Sequence, residues 1–176
     1  ICSICGAKQS RDNGSKLVAT MKLNVTSIKL QKKQATTKVK VTGLANGDSV
    51  KSWTSSNKKI VTVDKNGKIK AGKKTGSAKI TITLKSGKKA TLKVKVQSAK
   101  VKTTKITGLK TKLTLKKGKS LTLKPVISPI TSQEKVTYTT SNKKVATVTK
   151  KGVIKAKKKG TVTITVKSGK VTKKVK

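Results

Sequence analysis

The feature that most limits what this chain can fold into is a long internal repeat. The segment Trp53-Thr54-Ser55-Ser56-Asn57-Lys58-Lys59-Ile60-Val61-Thr62-Val63 returns as Tyr138-Thr139-Thr140-Ser141-Asn142-Lys143-Lys144-Val145-Ala146-Thr147-Val148, 85 positions later. The same shift carries Gly67-Lys68-Ile69-Lys70-Ala71 onto Gly152-Val153-Ile154-Lys155-Ala156, and Ile28 and Leu30 onto Leu113 and Leu115. Beyond Lys74 the second copy is shorter: Gly76 matches Gly160, and Lys85-Ser86-Gly87-Lys88 matches Lys167-Ser168-Gly169-Lys170. A period this long holds several secondary-structure elements, so it marks a duplicated domain and not the turn of a solenoid.

Each copy reads as short runs of alternating apolar and polar residues separated by turn residues, the pattern of strands with one dry and one wet face. The first copy gives Met21 to Leu30 (broken near Thr26), Thr36 to Thr42, Val50 to Thr54, Ile60 to Val63, Lys68 to Ala71, Ser77 to Leu84 and Ala90 to Val96. The second gives Lys105 to Leu115, Ser120 to Val126, Val136 to Thr140, Val145 to Val148, Val153 to Ala156, Thr161 to Val166 and Val171 to Val175. About seven short strands in roughly 75 residues predict an all-β fold of two tandem immunoglobulin-like β-sandwich domains. Asn46-Gly47-Asp48, Asn66-Gly67, Ser86-Gly87 and Ser168-Gly169 supply the turns, because glycine and asparagine tolerate positive φ. The expected division is a lead-in over 1–20, a first domain over 21–99 and a second over 100–176. The polar stretch Ser98 to Thr104 serves as a short linker whose angle the sequence does not set.

Charge restricts the function classes. Forty-six Lys and Arg face four acids, for a net charge of +42, and Arg11 is the one arginine. In Lys38-Val39-Lys40-Val41 and Leu92-Lys93-Val94-Lys95-Val96 the lysines alternate with core residues. The pleat therefore puts them on outward faces, where they keep the protein soluble and discourage edge pairing. No stretch of sequence gathers them into one cleft. Such charge also suits a polyanionic partner. One arginine and two rings that the core claims leave base readout in nucleic acid unsupported.

Catalysis and metal binding find little to work with. The chain has no His, and its acids are Asp12, Asp48, Asp64 and Glu134. Those acids fall in turns or the lead-in, which supplies neither a carboxylate pair nor a calcium cage. Cys2 and Cys5 stand as a single C-x-x-C with no His to complete a zinc site. They fit a tight disulfide, half of a metal site, or, the reading taken here, the tail of an upstream module. Starting in mid-motif at Ile1, the sequence reads as a fragment, so the absence of signal-peptide, transmembrane and lipidation patterns says little about location. Trp53 and Tyr138 are expected in the core. Asn57 and Asn142 are expected to satisfy turns through their side chains, and Asp64 to shape the turn before Gly67.

Trp53, Ser55-Ser56-Asn57, Ile60-Val61-Thr62-Val63-Asp64, Gly67, Ile69-Lys70-Ala71 and Gly76-Ser77-Ala78-Lys79-Ile80 resemble the pattern of the bacterial Ig-like domain, group 2. The second copy resembles it through Ser141-Asn142, Val145-Ala146-Thr147-Val148, Gly152, Ile154-Lys155-Ala156 and Gly160-Thr161-Val162-Thr163-Ile164, with Tyr138 for Trp and Thr149 for Asp. Such domains occur in intimin- and invasin-type adhesins and in many Gram-positive surface proteins, and Cys2-Ser3-Ile4-Cys5-Gly6 resembles a repeat that precedes them in Firmicutes. The resemblance implies a monomeric, non-catalytic module at the cell surface or cell wall, a spacer presenting neighbouring domains of a larger secreted protein. It names no catalytic, cofactor or metal residues and no membrane insertion. The alternative it allows is an adhesin that binds cell-wall or host acidic polysaccharide through the lysine surface.

Overall fold

The computed structural model describes residues 18–176; Cys2, Cys5, Asp12 and most of the expected lead-in lie outside them. Two β-sandwiches follow one another. In the first, β1 (Lys22–Leu23), β2 (Ser27–Gln31), β3 (Ala35–Thr36), β4 (Val41–Thr42), β5 (Val50–Ser55), β6 (Val61–Val63), β7 (Ile69–Ala71), β8 (Gly76–Leu84) and β9 (Lys89–Gln97) form two sheets and a ribbon. One sheet has the order β2-β9-β8-β5, the other β3-β7-β6, and β1 pairs with β4. The second sandwich comprises β10 (Lys105–Thr107), β11 (Ser120–Thr122), β12 (Val126–Ser128), β13 (Val136–Thr140), β14 (Ala146–Val148), β15 (Val153–Ala156), β16 (Ile164–Ser168) and β17 (Val171–Val175). Its sheets are β13-β16-β17 and β11-β15-β14, with the ribbon β10-β12.

Alternation builds each core. On β8 and β9, Ala78, Ile80, Ile82, Leu84, Leu92, Val94 and Val96 turn inward, while Lys79, Lys93 and Lys95 turn outward. Ile28 and Leu30 of β2 and Val61, Ile69 and Ala71 of β6 and β7 complete the first core. Full burial of each Val, Leu or Ile side chain stabilises the fold by about 1.5–3 kcal/mol relative to exposure. The second core is smaller, made of Leu123, Ala146, Ile154, Ile164 and Val166.

Four expected strands differ from the structure, among them Ser120 to Val126, which splits into β11 and β12 in different pairings. The run Thr36 to Thr42 splits into β3 and β4, which lie in different pairings. Between them the Asn24 side chain takes over from a ladder: its Nδ2 donates to the Lys38 carbonyl at 2.8 Å and its Oδ1 accepts the Lys40 N–H at 2.9 Å. Lys105 to Leu115 keeps only β10, because Gly108 (φ 76°) turns the chain. Finally, the run Thr161 to Val166 is displaced to β16, whose ladder with β17 spans Ile164↔Val175 to Ser168↔Val171.

Candidate functional site

The residues singled out by the repeat serve mainly to shape turns. Asn57 Oδ1 accepts the Lys59 N–H at 3.0 Å and Asn142 Oδ1 accepts the Lys144 N–H at 2.9 Å, so both asparagines close their turns as expected. Asp64 Oδ1 accepts the N–H groups of Asn66 and Lys68, both at 2.9 Å. In the second copy Thr149 replaces this aspartate, and its hydroxyl accepts from Lys151 and Val153 at 3.3 and 3.2 Å. Trp53 and Tyr138 are partly buried against their cores. They stand opposite the buried Ile82 and Val166, on the inward side of the sheet. Each ring also covers the glycine of a turn: a Cβ on Gly67 would lie 2.7 Å from the Trp53 ring, and one on Gly152 would lie 2.8 Å from that of Tyr138. Desolvation there raises the Tyr138 phenol above its ordinary range.

Each acid among the described residues accepts hydrogen bonds from backbone or hydroxyl donors. Asp48 accepts from the Ser86 hydroxyl at 2.7 Å and from the Ser49 N–H at 2.8 Å. The Ser86 bond is the main reason its carboxyl is held below the ordinary value. Glu134 Oε2 accepts the Thr103 N–H at 2.7 Å. No group of three or more His, Cys, Asp or Glu among the described residues could hold a metal ion.

The junction between the sandwiches is where the tertiary structure adds most. Although the linker belongs to no strand, Val101 and Thr103 are buried. Gln133 clamps Val101 at both backbone groups, and the Thr103 hydroxyl lies 2.7 Å from that of the fully buried Ser168. Residues Pro129 to Glu134 then reach back to the first domain. Ile130 packs on the first core, and the Thr131 hydroxyl donates to the Lys29 carbonyl on edge strand β2 at 2.6 Å. Gln34 Nε2 donates to the Thr131 carbonyl at 2.8 Å, and Gln133 Nε2 to Gln31 Oε1 at 2.9 Å.

Beside this junction lies a cleft of about 1060 Å³. Its floor is the outer face of β2, β9 and β8, and its wall is the linker with Ser128 and Pro129. Six lysines line it, Lys29, Lys79, Lys93, Lys95, Lys100 and Lys102, with no carboxylate among the lining residues. Sequence reasoning found no such gathering, since these lysines come from three strands and the linker.

The profile of the bacterial Ig-like domain (group 2) matches residues 13–94 and 100–176. No curated protein matches the chain. Among solved structures, the S-layer protein rSbsC(31-844) aligns at 24% identity and a TM-score of 0.40, over 70% of this chain and 19% of that one. Domains 4 and 5 of the S-layer protein SbsC align at 23% identity and a TM-score of 0.41, over 70% and 72%. Human protocadherin-24 EC1-2 aligns at 12% identity and a TM-score of 0.35, over 88% and 94%. The chain thus spans under a fifth of the larger S-layer protein. Two sandwiches of matching strand order apart from β2, which has no counterpart strand in the second, each with its ring over a turn glycine, carry this profile over nearly their whole length, and the chain belongs to the bacterial Ig-like domain family, group 2, as a tandem pair.

Proposed function

We propose that this chain is a non-catalytic structural module of a bacterial cell-surface protein, a spacer that holds neighbouring domains of a longer chain at a set distance. The observation that carries this reading is the docked loop Pro129 to Glu134. A spacer transmits position only if its joints resist bending. Here the second domain inserts Thr131, 2% exposed, against the edge strand of the first. The same contact covers part of the open edge of β2, which would otherwise offer unpaired backbone groups to another chain. Family membership supports the surface setting. A role without chemistry of its own agrees with Asp48, Asp64 and Glu134, the acids among the described residues, each accepting backbone or hydroxyl donors.

Small-angle scattering tests the rod. With about 3.3 Å of rise per strand residue, each sandwich with its loops is about 35–40 Å long, so a stiff pair measures about 70–80 Å. The variant Ile130→Ala with Thr131→Gly should keep both sandwiches and broaden the distance distribution. A wild-type particle no larger than one compact 176-residue globule would overturn the spacer. So would a distribution already as broad as the variant's.

A further inference from the structure

We propose that the lysine-lined cleft at the domain junction binds a linear acidic polysaccharide. The register of the sheet makes the case. On its outer face Lys29 of β2 lies directly opposite Lys95 of β9, and Lys93 of β9 directly opposite Lys79 of β8. Strands are about 4.8 Å apart and residues two apart on a strand about 6.6 Å apart. The four ammonium stems therefore rise from one small patch, each with a neighbour within about one Debye length at physiological salt. Like charges directly opposite one another weaken a sheet. A run of anions along the patch would reverse that repulsion, and Lys100 and Lys102 extend the positive track along the wall.

The lining also discriminates among polyanions. Ser27 and Ser77 stand opposite Lys93 and Lys95 in the ladders, and Ser56, Thr104 and Ser128 also line the cleft, matching a polymer that carries hydroxyls beside its acid groups. Nucleic acid is a poorer fit. Binding single strands draws on aromatic stacking of about 1–3 kcal/mol per base, and both rings of the chain lie over Gly67 and Gly152 instead. Lysine presents a point charge and lacks the two-pronged guanidinium that reads phosphate and guanine.

Calorimetry on the full chain with polygalacturonate fragments at about 0.15 M salt tests the assignment. Two quadruple variants lower the net charge equally: Lys29, Lys79, Lys93 and Lys95 to Gln in the cleft, and the exposed Lys143, Lys144, Lys150 and Lys151 to Gln on the second domain. The cleft variant should bind at least about tenfold more weakly and the control within about threefold of wild type. Only the cleft variant should flatten the dependence of log K on log salt, by about 3 units for four lost contacts. Wild type should bind polyglutamate and DNA of equal charge concentration at least about tenfold more weakly than polygalacturonate. Equal losses in the two variants, equal affinity for the three polymers, or no binding of polygalacturonate would each overturn the proposal. If the cleft variant fails to fold, Lys29→Gln and Lys95→Gln singly, set against Lys143→Gln, give the same comparison. A flexible junction would leave the four sheet lysines in place, so this test and the scattering test fail separately.

Discussion

Lys33 shows how the two copies comment on each other at single residues. It has φ 65°, in the left-handed region, and its counterpart Gly118 has φ 80° in the same turn. A side chain there costs energy that glycine does not pay. Both turns close with matching bonds, Gln34 N–H to the Gln31 carbonyl and Lys119 N–H to the Lys116 carbonyl, each at 3.0 Å. Lys33→Gly should therefore stabilise the first domain by about 0.5–1 kcal/mol, less than the full conformational cost because glycine gains freedom in the unfolded chain. Chemical denaturation checks this, with Gly118→Lys as the reverse change and a loss of similar size expected. The sequence alone pairs Lys33 with Gly118 through the repeat. That the turn at this point demands positive φ is visible only in the backbone. Trp53 and Tyr138 were legible as inward-facing, but their second task, covering a turn glycine that comes from the opposite sheet, was not, because nothing in the spacing of a strand says which hairpin will lie over it.

Differences between the copies at the level of strands concern their last strand. β9 pairs with β2 in a parallel ladder from Ser27↔Lys93 to Gln31↔Gln97. The segment around Leu113 forms no strand, and bonds at Leu113 N–H to the Lys176 carbonyl (2.7 Å) and Lys176 N–H to the Thr111 carbonyl (2.8 Å). Leu113 and Leu115 stay partly buried beside an opening of about 290 Å³, whereas Ile28 and Leu30 are closed into the core. Calorimetry should then resolve two unfolding transitions, with the second domain melting first. Tyr138→Ala should lower only the first transition and Trp53→Ala only the second, each by about 2–4 kcal/mol, somewhat below the cost of a fully buried ring. A single transition moved equally by both variants would mean that the junction couples the domains into one cooperative unit. Periodicity predicted β13, β15 and β17 to the residue. It could not foresee the loss of strand at Leu113, because pairing depends on what lies alongside and not on the apolar pattern of the segment itself.

For the whole molecule the governing quantity is the charge of +42. Repulsion of this size opposes compactness and is screened by salt. Raising ionic strength from about 0.01 to 0.5 M shortens the Debye length from about 30 Å to a few ångströms, and both transitions should move to higher temperature. A fall in either would mean that local attractive pairs outweigh the net repulsion. Sequence alone determined the duplication, the all-β class, the inward and outward faces of the long strands and the turn chemistry of Asn57, Asp64 and Asn142. All of these rest on interactions within one strand or one turn, or on a pattern repeated along the chain. Tertiary structure alone decided that Thr131 would lock onto Lys29, that β2 would run parallel to β9, and that lysines from three strands and a linker would meet in one cleft. Those depend on register and domain docking, where residues far apart in the chain become neighbours. A lysine reads the same in sequence whether the residue opposite it is a serine or another lysine.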